Sequence, residues 1–407
     1  MKVLLIDVNC KDSSTGRIVY DLYTNINAAG DTAAVCYGRG KQVIAPNIYK
    51  FGLDWETRLH ALLTRITGYT GCFSPFSTKR LLKFIKDFQP DVVHIHELHA
   101  YFVNIKPVLS YLKNAKIPTI FTLHCEFMYT GKCGHAMECE KWKTQCADCP
   151  SVKGYPKSLF FDRTKQMFLE KKKLYEGYEN LYITAPSGWL LNRAGQSMLG
   201  GKPSQVIPNG IDTEVFCPRD TASLRSSLGI GAEEKVILAL APDLMGDHKG
   251  GKHVVDIAKK LAGEKIRFVM VGAGDPTVPV PENVFLNGPV YDKDLLAQYY
   301  SLADAFVICS IRENFPTTCL EAQCCGTPVY GYDAGGTKET ALEKQGRFVP
   351  YGDTQGLAEL LLAAPRKTAE SAEVLRQQAE QAYGKRQMFE RYRTLYQAGA
   401  APVPNGH

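Results

Sequence analysis

The chain has no apolar run approaching the roughly 18–20 residues needed to cross a bilayer. Its opening, Met1-Lys2-Val3-Leu4-Leu5-Ile6-Asp7-Val8, turns polar too soon for a secretory signal. We therefore expect a cytosolic protein whose first residues form a buried strand. No repeat of fixed period is visible, which excludes solenoids. No nucleic-acid motif accompanies the positive charge, so nucleic acid is not an expected partner. An even, evenly spread cysteine framework is also missing. The 13 cysteines are odd in number, and with no export signal they read as reduced thiols. Cys10, Cys36, Cys309 and Cys319 sit among apolar neighbours as small core residues.

What is present is a chain of 407 residues, 45% of them hydrophobic, enough for two cores and hence two domains. The net charge of +6 is uneven. Residues 1–215 carry 27 Lys+Arg against 19 Asp+Glu, and the remainder 21 against 23. Two stretches concentrate the excess, 77–86 and 165–173, each mixing cations with apolar residues at helical spacing. They read as surface helices, or as contacts for anionic lipid or a lipid-phosphate acceptor.

Short apolar runs alternate with helical patterns, which predicts parallel α/β architecture. In the first half strands are expected over 2–8, 33–37, 92–96, 119–124 and 181–185. In the second half they are expected over 235–241, 267–272, 284–286, 305–309, 328–331 and 346–350. The turn-rich stretch Pro208-Asn209-Gly210-Ile211-Asp212 marks the boundary, dividing the chain into 1–212 and 213–379. A helix is expected over 380–397 and a disordered tail over 398–407.

The richest segment is Cys309-Ser310-Ile311-Arg312-Glu313-Asn314-Phe315-Pro316-Thr317-Thr318-Cys319-Leu320-Glu321, closing on Gly326-Thr327-Pro328-Val329. A strand ends near Cys309, at the edge where open α/β sheets bind ligands. Glu313 lies on the loop. A helix begins around Pro316–Thr318, with threonine as the expected cap. Its amides and positive dipole end suit a diphosphate. Glu321, a turn inside, can accept from both hydroxyls of a ribose. Upstream, Lys249 precedes Gly250-Gly251 after another strand and offers a point charge beside a flexible turn. Val271-Gly272-Ala273-Gly274 holds a lone glycine pair after an apolar run, which is weak evidence by itself. In the first half, Gly16 follows the first strand and opens a helix, where backbone could approach a phosphate or simply turn. His94, His96 and His99 follow one another along and past a strand. His94 suits a buried structural role, while His96, His99 and His124 stand nearer strand ends.

Together these motifs resemble the GT4-type retaining glycosyltransferases of GT-B fold. Glu313 and Glu321 match that family's E-x7-E signature, and Lys249 matches its phosphate-binding lysine. The resemblance runs from the first strand to the last helix. It implies two Rossmann-like domains facing a cleft, with an acceptor-binding N-terminal domain, a nucleotide-sugar-binding C-terminal domain and a last helix crossing back. It implies donor contacts from Gly16, Lys249, Asn314, Phe315, Thr317, Thr318 and Glu321, and catalytic roles for His124, Glu313 and Lys249. It also implies no catalytic divalent metal. The donor would be a UDP- or GDP-sugar, and the acceptor a glycan or lipid-pyrophosphate-linked hydroxyl, with peripheral membrane association. An arginine that many relatives carry before the lysine is replaced here by Ala241-Pro242-Asp243, and Lys252 or Arg312 could substitute. An epimerase or phosphorylase on the same fold, or a non-catalytic nucleotide-sugar-binding protein, are the alternatives.

Residues 125–155 form a cysteine-rich insertion, similar to one in bacterial exopolysaccharide and O-antigen transferases. Cys133-x5-Cys139-x6-Cys146-x2-Cys149 offers four thiols in a reduced compartment, a candidate structural Zn²⁺ site, with free thiols or a disulfide as alternatives.

Overall fold

A computed structural model describes residues 1–273, 279–342 and 347–399. Gly274, Gly346 and most of the expected tail, 400–407, lie outside them. The chain forms two compact units, one comprising 1–208 with 388–407 and the other 209–387. The division thus falls after Pro208, a few residues before the expected 212.

The first unit is built on β1 (Lys2–Asp7), β2 (Thr32–Tyr37), β3 (Ile48–Lys50), β4 (Val92–Ile95), β5 (Thr119–Thr122), β6 (Leu181–Ala185) and β7 (Ser204–Val206). All pair in parallel, in the order β3-β2-β1-β4-β5-β6-β7. Strands of a parallel sheet covered on both faces are apolar on both. β1 shows how the period of two sorts its residues. Leu4 and Ile6 enter a layer with Val93, Phe121 and Leu181, while Val3 and Leu5 enter another with Ile18, Leu22 and Tyr392. Each such fully buried aliphatic side chain contributes about 1.5–3 kcal/mol.

The expected helix over 380–397 is two helices, Ala369–Tyr383 and Lys385–Gln397. The break at Gly384 pairs with the chain entering the second unit. Ile211 N–H donates to Tyr383 O (2.7 Å), Lys385 N–H donates to Ile211 O (2.9 Å), and Lys385 Nζ meets Asp212 at 2.7 Å. Beyond the break, Phe389, Tyr392 and Tyr396 are buried in the first unit.

The second unit carries β8 (Lys235–Leu240), β9 (Ile266–Val271), β10 (Val284–Asn287), β11 (Ala305–Ile308), β12 (Val329–Asp333) and β13 (Phe348–Pro350). They too pair in parallel, in the order β10-β9-β8-β11-β12-β13. Both sheets therefore reverse direction of winding once, at β1/β4 and at β8/β11. Doubly wound sheets open a crevice at such a point, beyond the carboxyl ends of the two strands.

Candidate functional site

In the second unit the loops after β8 and β11 flank the switch point and are bonded to each other. Ile311 N–H donates to His248 O (3.0 Å). Their approach depends on Gly250, which has φ +75° and caps the helix Gly251–Lys260. A Cβ there would stand 2.0 Å from Cys309 O. Gly335, at φ +71°, plays the same part from the loop after β12. A Cβ there would meet Glu313 O at 2.2 Å, and the neighbouring Gly336 N–H donates to that oxygen (2.9 Å). Glu313 is thus fixed at its main chain. Its carboxylate accepts from Lys249 Nζ at 2.7 Å, so the structure joins two residues 64 apart in sequence.

The helix after Glu313 spans Thr317–Cys324, and its N-cap is Pro316, with no side chain capping it. The expectation of a threonine cap is corrected here: proline sets the extended entry, and Thr317 and Thr318 form the first turn. The dipole end of the helix thereby follows directly on the Glu313 loop. Glu321 is almost fully buried and accepts from Tyr300 OH at 2.8 Å. Burial, with Glu321 alongside, pushes the Tyr300 phenol well up, so it remains a donor. Sequence reasoning missed Tyr300, because only the packing of helix Lys293–Leu302 brings it to Glu321. Asn314 is buried. Phe315 is buried too, its ring edge-on to Tyr383 at 6.0 Å and its carbonyl accepting from Asn209 Nδ2 at 3.4 Å. That ring is a core element. Lys252, the suggested substitute cation, is exposed on helix Gly251–Lys260.

In the first unit the loops after β1, β4 and β5 bring together a titratable cluster. Asp7 closes β1, wholly buried. Its Oδ2 accepts from Thr15 OH (3.1 Å) and Asn9 N–H (3.2 Å), while its Oδ1 has no hydrogen-bond partner. Burial, then the nearby Glu97, raise its pKa to about 8. His96 and His124 stand past the ends of β4 and β5, with His96 Nδ1 and His124 Nε2 3.0 Å apart. Burial lowers His124 to about 4 and takes His96 well below its usual value. The two form a neutral pair in which one ring donates to the other's lone pair. His94 is a core residue, between Tyr396 OH (2.8 Å) and Thr122 Oγ1 (2.7 Å). His99 Nδ1 contacts Glu97. Burial opposes charge on both, but the mutual attraction prevails, holding Glu97 below and His99 above their ordinary values. Cys125 Sγ lies 3.7 Å from the same carboxylate, and the ligand atoms of Glu97, His99 and Cys125 fall within 4.8 Å of one another. Gly16 N–H donates to Ser13 Oγ (3.2 Å), and a Cβ there would stand 3.2 Å from the Asn9 carbonyl carbon, so the missing side chain lets the helix start close against the β1 loop.

The four cysteines of the insertion line one cavity of about 20 Å³. Cys133 and Cys149 share a hydrogen bond, which lowers Cys149 to about 6 and drives Cys133 up. No three of the four sulphurs lie within 4.8 Å of one another; among the described residues, the one group of three or more His, Cys, Asp or Glu side chains that does is Glu97, His99 and Cys125.

Helices Pro75–Phe88 and Thr164–Tyr175 hold the two basic stretches, and both turn apolar residues inward, Leu81 and Ile85 in one, Met167 and Phe168 in the other. The exposed apolar face lies elsewhere, on helix Asp54–Thr67. Trp55, Leu59, Leu62 and Ile66 recur at helical spacing and are all exposed, while Glu56, His60 and Thr64 on the opposite face are buried. Phe76 extends that stripe, its ring 5.9 Å from Trp55. Among the described residues no helix is long and apolar enough to cross a membrane.

Comparison with known proteins agrees with this architecture. The model of the family "Glycosyltransferase Family 4" matches residues 15–215, and that of "Glycosyl transferases group 1" matches residues 234–364. A putative colanic acid biosynthesis glycosyl transferase, WcaC of Escherichia coli K12, is 27% identical over 98% of this chain and 100% of its own. Among solved structures, the sucrose-phosphate synthase of Thermosynechococcus elongatus has a TM-score of 0.71 at 17% identity, with 98% of each chain covered. The Anabaena protein Alr3699/HepE, crystallised with UDP-glucose, has a TM-score of 0.63 at 16% identity, covering 98% of this chain and 100% of its own. With one family model on each doubly wound unit, the chain belongs to the GT4 glycosyltransferases of GT-B fold.

Proposed function

We propose that this enzyme transfers a sugar, with retention, from a UDP- or GDP-sugar to a hydroxyl of a glycan or lipid-pyrophosphate-linked acceptor in the assembly of a bacterial surface polysaccharide, exopolysaccharide or O-antigen. The observation that carries the reading is the Lys249–Glu313 contact at the β8/β11 switch point, with buried Glu321 one helical turn beyond. The full-length relative named for colanic acid synthesis, and the neighbour crystallised with UDP-glucose, support the pathway and donor class.

In this reading Glu321, steadied by Tyr300, accepts hydrogen bonds from the ribose hydroxyls. The uncapped start of helix Thr317–Cys324 and Lys249 take the diphosphate, placing positive charge where negative charge develops on the leaving group. Glu313 accepts from hydroxyls of the transferred sugar. The bond between the anomeric carbon and the diphosphate breaks, and a bond to the acceptor oxygen forms on the same face. The acceptor proton passes to the departing phosphate. His124, neutral through burial, offers a hydrogen-bonding group in the first unit. No step requires a divalent metal.

A thermal-shift screen against UDP-, GDP-, ADP- and CMP-sugars, followed by mass spectrometry of products and NMR of the new anomeric linkage, tests the proposal. Acceptor-dependent release of the nucleoside diphosphate with retained configuration supports it. Epimerised donor without an acceptor, or an inverted linkage, contradicts it.

The stripe on helix Asp54–Thr67 favours a lipid surface as the setting of the acceptor. Arg58 and Arg65 on the same helix supply charge complementary to anionic lipid. Co-sedimentation with phosphatidylglycerol vesicles that is lost in Leu59→Glu/Leu62→Glu is the expected result. Equal sedimentation of the variant would remove this role.

A further inference from the structure

We propose that Cys133, Cys139, Cys146 and Cys149 bind one Zn²⁺ as thiolates, forming a structural centre that pins the segment between β5 and helix Thr164–Tyr175. This segment, 123–163, has a single turn of 3₁₀ helix, Lys141–Lys143, as its regular structure. Irregular stretches of such length are uncommon in compact domains and need fastening or function. Several contacts fasten it. The buried Glu126 carboxylate accepts from Ala136 N–H (2.6 Å), Tyr129 OH (3.0 Å) and Arg193 Nε (2.8 Å). That knot secures the stem, while the buried Trp142, edge-on to Tyr129 with its Nε1–H donating to Cys139 O (2.7 Å), and the Cys149 N–H bond to Asp162 (2.7 Å) tie the stretch from Cys139 to Cys149 to the core.

The four cysteines converge from well-separated positions on one cavity of about 20 Å³, room for a body the size of a water molecule. Two of the sulphurs accept backbone N–H groups, Cys146 from Gly131 at 3.2 Å and Cys149 from Ser151. Such N–H···S bonds orient thiolate ligands from outside the coordination shell. The surroundings match the charge of a tetrathiolate centre. Zn²⁺ with four thiolates carries a net charge of −2, which in a buried place needs positive charge nearby. Two buried ammonium groups supply it. Lys132 Nζ is held by the carbonyls of Val152 (2.5 Å), Gly154 (3.1 Å) and Pro156 (2.8 Å), and Lys171 Nζ by those of Phe127 and Thr130 (the latter 3.0 Å). Neither lysine has a carboxylate among these partners.

The competing trio, Glu97, His99 and Cys125, is more tightly gathered. Its polar groups are already matched, because the His99 ring and the Cys125 thiol both meet the Glu97 carboxylate. The cysteine set has no such carboxylate partner, and all four of its thiols line the one cavity. Zn–S bonds of about 2.3 Å define the tetrahedron they would form. On binding, each neutral thiol loses its proton to solvent, and no oxidant or reductant is involved.

The test is metal analysis of the full chain purified without chelator, together with Co²⁺ exchange. One zinc per chain is expected, and the cobalt form should show the intense visible bands of a tetrahedral thiolate centre. Cys146→Ser should lose both, whereas Cys125→Ser should keep both. The wild-type cobalt spectrum needs no variant, so misfolding of Cys146→Ser does not blunt the test. A chain with no zinc and four thiols open to Ellman's reagent overturns the proposal. So does a disulfide among the four found by mass spectrometry, or metal that survives Cys146→Ser in a folded chain.

Discussion

Replacing Lys249 with alanine separates two contributions that this site makes. The Lys249–Glu313 pair is partly open to water, with the lysine side chain 37% exposed and the glutamate 19%. Ion pairs so placed contribute about 0–1 kcal/mol to folding. For a unit of this size that is a melting shift of about 2–4 °C at most. If Lys249 holds the departing diphosphate, its loss removes a preorganised charge from the developing anion. Comparable losses cost about 10²–10³ in rate, or about 2.7–4 kcal/mol. Activity should therefore fall far more than stability. The assay is acceptor-dependent release of nucleoside diphosphate, run beside a thermal melt, for Lys249→Ala, Lys249→Arg and Glu313→Gln. Arginine should recover part of the rate by keeping the charge. A folded Lys249→Ala enzyme with wild-type kcat/KM refutes the assignment, as does an activity loss that tracks unfolding alone.

Further outcomes follow from other contacts. Tyr300→Phe removes the hydrogen bond to Glu321 and should raise the donor KM by about 10–150-fold, the equivalent of about 1.5–3 kcal/mol for a bond to a charged group, with kcat changed less. Equal falls in kcat and kcat/KM would contradict a ribose-side role. Gly250→Ala places a Cβ 2.0 Å from Cys309 O in a left-handed backbone. It should cost at least about 1–2 kcal/mol from conformation alone, and calorimetry should show the loss together with weaker nucleotide binding. His60, buried between Ser74 Oγ and the Gly71 N–H, is lowered by burial to about 4. Its folded pKa lies below the unfolded value, so the unfolded state binds the extra proton between about 6.5 and 4. Its contribution is complete above that window and is lost as pH falls through it, up to about 3 kcal/mol. Urea unfolding at pH 7 and pH 5 should show a shallower pH dependence in His60→Gln than in the parent.

The parallel architecture was legible because strands buried on both faces leave unmistakable apolar runs, as in Val3–Ile6 and Val236–Ala239. The three-residue strands β3 and β7 were not, since so few residues show no period. Strand ends at His96 and His124 were drawn too long, for an apolar run continues past the last ladder bond. Glu313, Glu321 and Lys249 could be named because their motifs resemble a family's, not from spacing alone. Their partners could not: Tyr300 reaches Glu321 from another helix, and Gly335 reaches Glu313 from the loop after β12. Such contacts depend on strand order, which spacing does not encode. The basic stretches drew attention through composition, yet helix Asp54–Thr67 carries the exposed apolar stripe. A periodic pattern shows that a helix has two faces without showing which one the core covers. Four cysteines were visible as a set, and their common cavity is a tertiary fact.

The central claim is that the nucleotide end of the donor binds at the β8/β11 edge of the second unit. Hydrogen–deuterium exchange with and without a saturating nucleoside diphosphate measures this directly. The account predicts protection concentrated in residues 243–251 and 309–325. Protection confined to the first unit, with those two segments unchanged at saturation, would contradict it.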